Sequence, residues 1–493
     1  MADPTPEESM CPRRRGVRGA PGADIRILAD NGEYWLTNKG DQAIIRVTVR
    51  RLRERLPHAR IGVLTNAPTL LRSYEPDAEP VCYRRGGDWA DARVADAWVA
   101  DAWVGRVAAR VVGPRVVGTT GWLWSGTVDP LRSAVRSARN GLRARRSATV
   151  GGGGGEGRTE WYDGYFDTPR TRSGGGLLPN AVDDATMVIA MGGGYLTDVD
   201  EYQAHRTLSL LERALERGVP TAMLGQGIGP MDDPTLRAHA ARVLPRVDHI
   251  ALREGRRGPA LLRSLGVPDG RVVVTGDDAV ELGYRARTEG LGRHLGVCLR
   301  IAGYSPVTGS ARAEVGRVVR SVADRAGAGL VPLPVSEYRS EDRRATMPLL
   351  AGYRAEGTPL GRFSGPERLA AEVSRCRVLV TGAYHVAVFA LSQGIPVVGL
   401  TSSRYYDDKF GGLGAMFGAG FALVHLDDRG LREALDRAVT ELWDAADRVR
   451  DPLRDRARAQ IAASNASFDV VAALASGSRD GASRSNQVAK RRD

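Results

Sequence analysis

Short apolar runs along the chain alternate with longer stretches whose apolar residues recur every three to four positions, a pattern that predicts alternating strands and helices. Two of the runs, MVIAM at 187–191 and VPTAMLG at 219–225, lead into glycine clusters, GGGY at 192–195 and GQGIG at 225–229. Such runs read as strands buried on both faces of a parallel sheet, and glycine at their carboxyl ends admits a close backbone or an anionic ligand. Between them, EYQAHRTLSLLERALERG at 201–218 has helical spacing and stops at Gly218, which completes a strand–helix–strand unit. Ligands of open α/β sheets bind at the carboxyl edge of the strands, so a substrate cleft and an enzyme are expected.

The same alternation runs through most of the chain. ADIRILAD (23–30) predicts a first strand, NGEYWLTNKGD a loop, about Gln42 to Leu56 a helix, and RIGVLTN (60–66) a second strand. Further strands are expected at 187–191, 220–224, 248–252 and 272–275. A second series follows in HLGVCLR (294–300), GLVPLPV (329–335), CRVLVTG (376–382) and IPVVGL (395–400). Two series with a break near 283–293 predict an α/β protein of two doubly wound Rossmann-like domains facing across a cleft, one over 23–285 and one over 290–428. Helices are expected over 429–475. The leader 1–22 and the polar tail 476–493 read as disordered by composition, and 83–180, with its near-duplicated ADAWVADAWVG and the run GGGGGEG, reads as a basic low-complexity insertion.

Charge and cysteine usage narrow the class. The net charge of +12 is concentrated: residues 105–172 carry 12 basic against 5 acidic side chains and 476–493 carry 5 against 2. The parts that look folded are close to neutral and the basic segments have few aromatics, which argues against a nucleic-acid partner. Cys11, Cys82, Cys298 and Cys376 are scattered without CxxC spacing, which argues against a disulfide framework and a zinc knuckle. No apolar run approaches the roughly 18 to 20 residues that span a bilayer, and MADPTPEESMCPRRR does not read as a secretory signal, so a cytoplasmic location is expected.

Candidate chemistry gathers at the carboxyl ends of the strands. Gly40 and Asp41 stand directly before the first helix, where Asp41 can cap it or take a proton. Gly193, Gly194, Gln226 and Gly227 lie in the two glycine clusters. Arg253, following DHIAL, and Arg300, closing VCLR, are placed to meet an anion, although Arg253 could equally pair with Glu254 or Asp278, while Asp277 in TGDDAVEL could act as base, cap or hinge contact. In VLVTGAYHVAVFAL a buried strand delivers His385 to a loop or first helical turn at the cleft edge. It is the histidine best placed for proton transfer. SSRYYDDKFGGL adds Arg404 and Lys409, cations able to close over a phosphate. No metal-ligand spacing is evident.

Taken in order, NKGDQAI, MVIAMGGGYLTD, AMLGQGIGP, HIALRE, VVVTGDDAVEL, LGVCLR, VTGAYHVAVFAL and DDKFGGL resemble the polysaccharide pyruvyl transferase family over roughly 25–75 and 185–415. The resemblance implies a fold like the two-domain glycosyltransferases of the B type. It further implies transfer of pyruvate from phosphoenolpyruvate, a donor substrate with no further cofactor, to two hydroxyls of a glycan as a cyclic ketal. His385 would then be the general acid, Asp41 the base or acceptor contact, and Arg253, Arg300 and Lys409 the donor's cations. The family commonly carries R-[LYF]-H, whereas Ala383 holds the arginine's place here. Two other readings stand beside it: a nucleotide-sugar glycosyltransferase, disfavoured by the absence of Asp and Glu from Val378 to Tyr406, and a non-catalytic anion-binding protein. A lipid-linked acceptor would imply peripheral membrane contact; the oligomeric state is open.

Overall fold

The computed structural model describes residues 25–32, 35–82, 89, 113–117, 119, 178–303, 305–338, 341–353 and 359–477. The leader, nearly all of the 83–180 insertion and the tail beyond 477 lie outside the described residues.

The first domain is an eight-stranded parallel sheet with the order β3-β2-β1-β4-β6-β7-β8, in which β5 pairs with β6. Its strands are β1 Arg26–Asp30, β2 Arg60–Thr65, β3 Glu79–Cys82, β4 Met187–Ala190, β5 Gly193–Leu196, β6 Thr221–Ile228, β7 His249–Leu252 and β8 Val272–Val274. The second sheet, β10-β9-β11-β12-β13, is also parallel and comprises β9 His294–Cys298, β10 Leu330–Pro332, β11 Cys376–Thr381, β12 Val397–Thr401 and β13 Phe421–His425. Strand order reverses between β1 and β4 in one sheet and between β9 and β11 in the other. At such switch points the following loops diverge to opposite faces and open a crevice. Both crevices face the boundary between the domains.

Two helices start at these crevices, α1 (Lys39–Arg55) after β1 and, far along the chain, α10 (Tyr384–Gln393) after β11. Between them lie α2 Pro68–Tyr74, α3 Glu201–Glu216, α4 Pro234–Val243, α5 Gly258–Ser264, α6 Val280–Arg285, α7 Gly309–Arg325, α8 Glu341–Thr346 and α9 Pro366–Val373. All ten residues of α10 are buried, His385, Ser392 and Gln393 among them, because it packs between the domains against α6 and the last helix. After α11 (Arg404–Phe417) the chain forms α12, Leu431–Ala475, a single 45-residue helix with Pro452 inside it. Leu431, Leu435 and Val439 of α12 pack on the second sheet, while Ser464 reaches Asp278 and Arg55 donates to Asn465 O at 3.1 Å, so the helix returns to the first domain.

Three sequence expectations change. The first helix begins at Lys39 rather than about Gln42, because Asn38 is its cap and accepts from the Gly40 N–H at 2.9 Å; Asp41 lies in the first turn and is not the cap. The first glycine cluster follows the end of β4 as expected but then forms a strand of its own, β5, and the second does not end its strand: β6 continues through GQG with Gly225 at φ +53°, where the pairing with β7 shifts register. β3 and β13, short edge strands, were not anticipated, since EPVC and FALVH lack a long apolar run.

Candidate active site

The first turns of α1 and α10 meet across the domain boundary. At Gly40 an added Cβ would overlap the imidazole of His385, so only glycine lets the two helix starts approach this closely. His385 Nε2 lies 4.0 Å from Asp41 Oδ1 and 3.9 Å from Oδ2 of Asp277, which stands in the turn after β8. The other Asp277 oxygen accepts from the Ala279 N–H at 2.9 Å. Asp277 Oδ2 and His385 Nε2 are both buried and make no hydrogen bond among the described residues. Buried polar atoms without partners cost free energy, so this pair marks a place where a ligand supplies what the protein does not.

Cations surround the triad. Arg253, 4% exposed, lies in the turn after β7 with Nη1 4.0 Å from Asp277 Oδ2 and its guanidinium carbon 4.4 Å above the Tyr384 ring. Among the described residues its guanidinium makes no hydrogen bond. Gly194 and Gly227 provide the space it occupies: a Cβ at Gly194 would come within 2.6 Å of Nη2, and one at Gly227 would overlap the guanidinium. Lys409 of α11 donates to Tyr405 Oη at 2.8 Å, and that hydroxyl donates to the Gly194 carbonyl at 2.8 Å. Arg253 and Lys409 form the inner wall of a cavity of about 310 Å3.

These charges act on one another. Burial pushes Asp41 and Asp277 up to about 6, against the pull of Lys409, Arg300 and Arg253 on the first and chiefly of Arg253 on the second. Burial, and then Arg253, Lys409 and Arg300, hold His385 well below the usual imidazole range, so its imidazole is neutral at neutral pH. Burial and the two arginines likewise lower Lys409 well below its ordinary value. An anion entering the cavity would reverse the effect of its cationic wall and favour the protonated forms of both His385 and Lys409.

The sequence candidates are only partly brought together. His385, Asp41, Asp277, Gly40, Gly194, Gly227, Arg253 and Lys409 converge. Arg300, although close enough to influence Asp41 and His385, is clamped by Asp342, with Nε at 2.7 Å from Oδ1 and Nη2 at 2.8 Å from Oδ2. Gln226 is fully buried and braces the turn after β4, donating to Ala190 O at 3.3 Å, to Met191 O and to Tyr195 Oη at 2.8 Å. Gly193 clears space for the Tyr195 ring. Arg404 stands exposed on the outer rim of the cavity.

Several further residues position the site. Asp342, fully buried, also accepts from the N–H groups of Val335 at 3.0 Å and Ser336 at 2.6 Å, fixing the loop after β10. That loop grips the start of α1: Lys39 N–H donates to Val335 O at 3.2 Å, Glu337 N–H to Thr37 O at 2.9 Å, and Lys39 Nζ lies 3.4 Å from Glu337. Tyr384 and Tyr405 sit inside the AYH and SSRYYDD motifs, and an aromatic beside a candidate cation was the available signal. Asp342 and Glu337 carried none, since the partners that tie them to the site, Arg300 and Lys39, are distant in sequence. Among the described residues, no group of three or more His, Cys, Asp or Glu is placed to hold a metal ion.

Two parallel sheets facing across a crevice, with an α helix returning from the second to the first, define the architecture of the B-type glycosyltransferases and the related epimerases. The profile of the polysaccharide pyruvyl transferase family matches residues 38–404, from the cap of α1 to the first residue of α11, and the chain belongs to that family. Tyr405 and Lys409 lie just beyond the matched span. No significant match was found among curated protein sequences. Among solved structures, the chain is similar to a protein assigned as UDP-N-acetylglucosamine 2-epimerase from Listeria monocytogenes, with 11% identity, 92% of this chain and 96% of that one covered, and a TM-score of 0.51. It is also similar to MnaA of S. aureus in complex with UDP (13% identity, 91% and 96% covered, TM-score 0.49). A third is a UDP-glucosyltransferase from Polygonum tinctorium (12% identity, 92% and 99% covered, TM-score 0.48). At these identities the likeness is one of fold.

Proposed function

We propose that the chain transfers the pyruvyl group of phosphoenolpyruvate to two hydroxyls of a sugar residue, forming a cyclic ketal and releasing phosphate. The observation that carries this reading is Arg253, a buried guanidinium without a hydrogen bond among the described residues, lying beside Lys409 and in reach of the Asp41–His385–Asp277 triad. A buried cation left this way is stabilised when an anion arrives, and phosphoenolpyruvate offers both a phosphate and a carboxylate. Family membership supports the same reaction.

The chemistry requires a proton on the methylene carbon of the donor, removal of two hydroxyl protons from the acceptor, and departure of phosphate. In the proposal, His385 gains its proton as the anionic donor offsets Arg253 and Lys409, then delivers it to the methylene carbon, which becomes the methyl group. The first sugar oxygen bonds to the adjacent carbon, with Asp41 accepting the hydroxyl proton. The second sugar oxygen then forms its bond to the same carbon as the carbon–oxygen bond to phosphate breaks. The second hydroxyl proton leaves with the phosphate, and cations hold the developing charge.

Ala383 leaves no guanidinium at the family's usual place. It is fully buried, and its N–H donates to Thr381 Oγ1 at 2.8 Å. The donor's charge is therefore assigned to Arg253 and Lys409. Nucleotide-sugar transfer is less well supported, because the segment from Val378 to Tyr406 has no carboxylate to hold a ribose. The test is incubation of the full chain with phosphoenolpyruvate and pooled glycoside acceptors. Acceptor-dependent phosphate release supports the proposal. Nucleotide release from sugar nucleotides, with no phosphate release from phosphoenolpyruvate, would replace it with glycosyl transfer.

A further inference from the structure

Asp41 and His385 come from different domains, Asp41 from the first turn of α1 and His385 from that of α10, so their 4.0 Å separation depends on how the domains are set against each other. The tolerance is narrow, since a Cβ at Gly40 would already overlap the imidazole. Residues 335–337 of the second domain hold the chain immediately before Asp41. Asn38 and Ser336 form an antiparallel bridge, flanked by the bonds from Lys39 N–H to Val335 O at 3.2 Å and from Glu337 N–H to Thr37 O at 2.9 Å. Beside this bridge Lys39 Nζ lies 3.4 Å from Glu337 Oε1, with the two side chains only 1% and 6% exposed. The other ties between α1 and distant segments, Arg46 to Glu367 and Arg51 to Ser464, lie more than a turn beyond Asp41.

Glu337 does not need Lys39 for its charge. It also accepts from Arg343 Nη2 at 2.6 Å and lies 3.5 Å from Arg362 Nη1, so two guanidinia already face it. Burying a lysine ammonium costs free energy, and an apolar side chain at position 39 could pack in its place. What the ion pair adds is direction: it is satisfied in one alignment of α1 against the loop after β10, whereas apolar contacts tolerate sliding. Resting on the pyruvyl transfer reading, we propose that Lys39 and Glu337 are positioning residues for the acid–base pair, their buried contact fixing the first turn of α1 against that loop and with it the separation of Asp41 from His385. Neither lines the cavity that Arg253 and Lys409 wall. The pair therefore governs turnover and leaves donor affinity alone.

The test compares Lys39→Met and Lys39→Gln in the full chain. The two side chains are close in size, but only glutamine can still donate to Glu337, and in both variants Glu337 keeps Arg343 and Arg362, so no buried charge is left alone. Three quantities are read: turnover with phosphoenolpyruvate and glycoside acceptors, phosphoenolpyruvate affinity by calorimetry, and the ring resonances of His385 by NMR, with those of His205 and His239 as controls. Lys39→Met is expected to lower kcat by about ten-fold or more, to keep donor affinity within about two-fold, and to displace the His385 resonances and not the controls. Lys39→Gln should retain most of the rate and the native His385 resonances. Native kcat or unmoved His385 resonances in Lys39→Met overturn the proposal, as does a loss of donor affinity that matches the loss of turnover. If the native chain binds no phosphoenolpyruvate, the pyruvyl transfer reading fails, and the His385 resonances of the two variants still decide whether Lys39 and Glu337 set this contact.

Discussion

Arg51 and Arg253 are both arginines buried near the domain boundary, and their surroundings differ in one respect. Arg51 is fully buried; its Nε lies 2.8 Å from Glu281, its Nη1 3.5 Å from Asp278, and its guanidinium carbon 5.0 Å above Phe468. It also donates to Ser464, so one side chain joins α1, α6 and α12. Arg253 has a carboxylate 4.0 Å away, an aromatic face and a cavity. A buried charge that the protein pairs for itself holds structure, while one left partly unpaired stores affinity for a ligand.

That contrast makes opposite predictions for the same kind of substitution. Arg51→Ala leaves Glu281 and Asp278 without their shared cation and is expected to cost about 3–5 kcal/mol in urea unfolding. A loss below about 1 kcal/mol would mean that the domains do not depend on this cluster. Arg253→Ala should change stability little and weaken phosphoenolpyruvate binding by about 100-fold, read by calorimetry beside the unfolding curve.

His385→Ala is expected to lower turnover by about 10^2 to 10^4-fold with donor affinity largely kept. Because Asp41 and Asp277 titrate near 6, turnover should rise as pH increases through about 6, where the accepting carboxylate loses its proton. Histidine NMR should show the His385 proton affinity rising when phosphoenolpyruvate is added. No change would remove it as the acid.

The smallest expected effect concerns stability at the site. The folded-state Asp41 is raised to about 6 from 3.8, so at neutral pH its ionisation costs the native protein free energy relative to the unfolded chain. Asp41→Asn should therefore stabilise by on the order of 2 kcal/mol at pH 7. The gain should shrink as pH falls through 6 and vanish below about 4, where both folded and unfolded forms of Asp41 are protonated. A variant destabilised at pH 7 would show that Asp41 is held by its cations rather than strained by burial.

Much of this arrangement was legible in local sequence. Apolar runs ending in glycine, arginine or histidine marked the strand edges, because a buried parallel strand needs an apolar run and its carboxyl end is where the chain can afford a polar group. AYH and HIALRE therefore led directly to His385 and Arg253. What stayed hidden was pairing. Arg300 has the same sequence setting as Arg253, but Asp342, 42 residues away, occupies its guanidinium, and nothing near LGVCLR announces that partner. Gln226 likewise sits in a ligand-like glycine cluster and spends its amide on Met191 and Tyr195. The start of α1 was misplaced because Asp41 reads as a cap, whereas the Asn38 to Gly40 hydrogen bond makes Asn38 the cap.

The most direct test of the account is calorimetric titration of phosphoenolpyruvate into the full chain and into Arg253→Ala. Saturable one-to-one binding to the native chain, lost in the variant while its unfolding curve is unchanged, is the predicted result. Equal binding to both proteins, or none to the native chain, would contradict the assignment of this unpaired guanidinium to the donor.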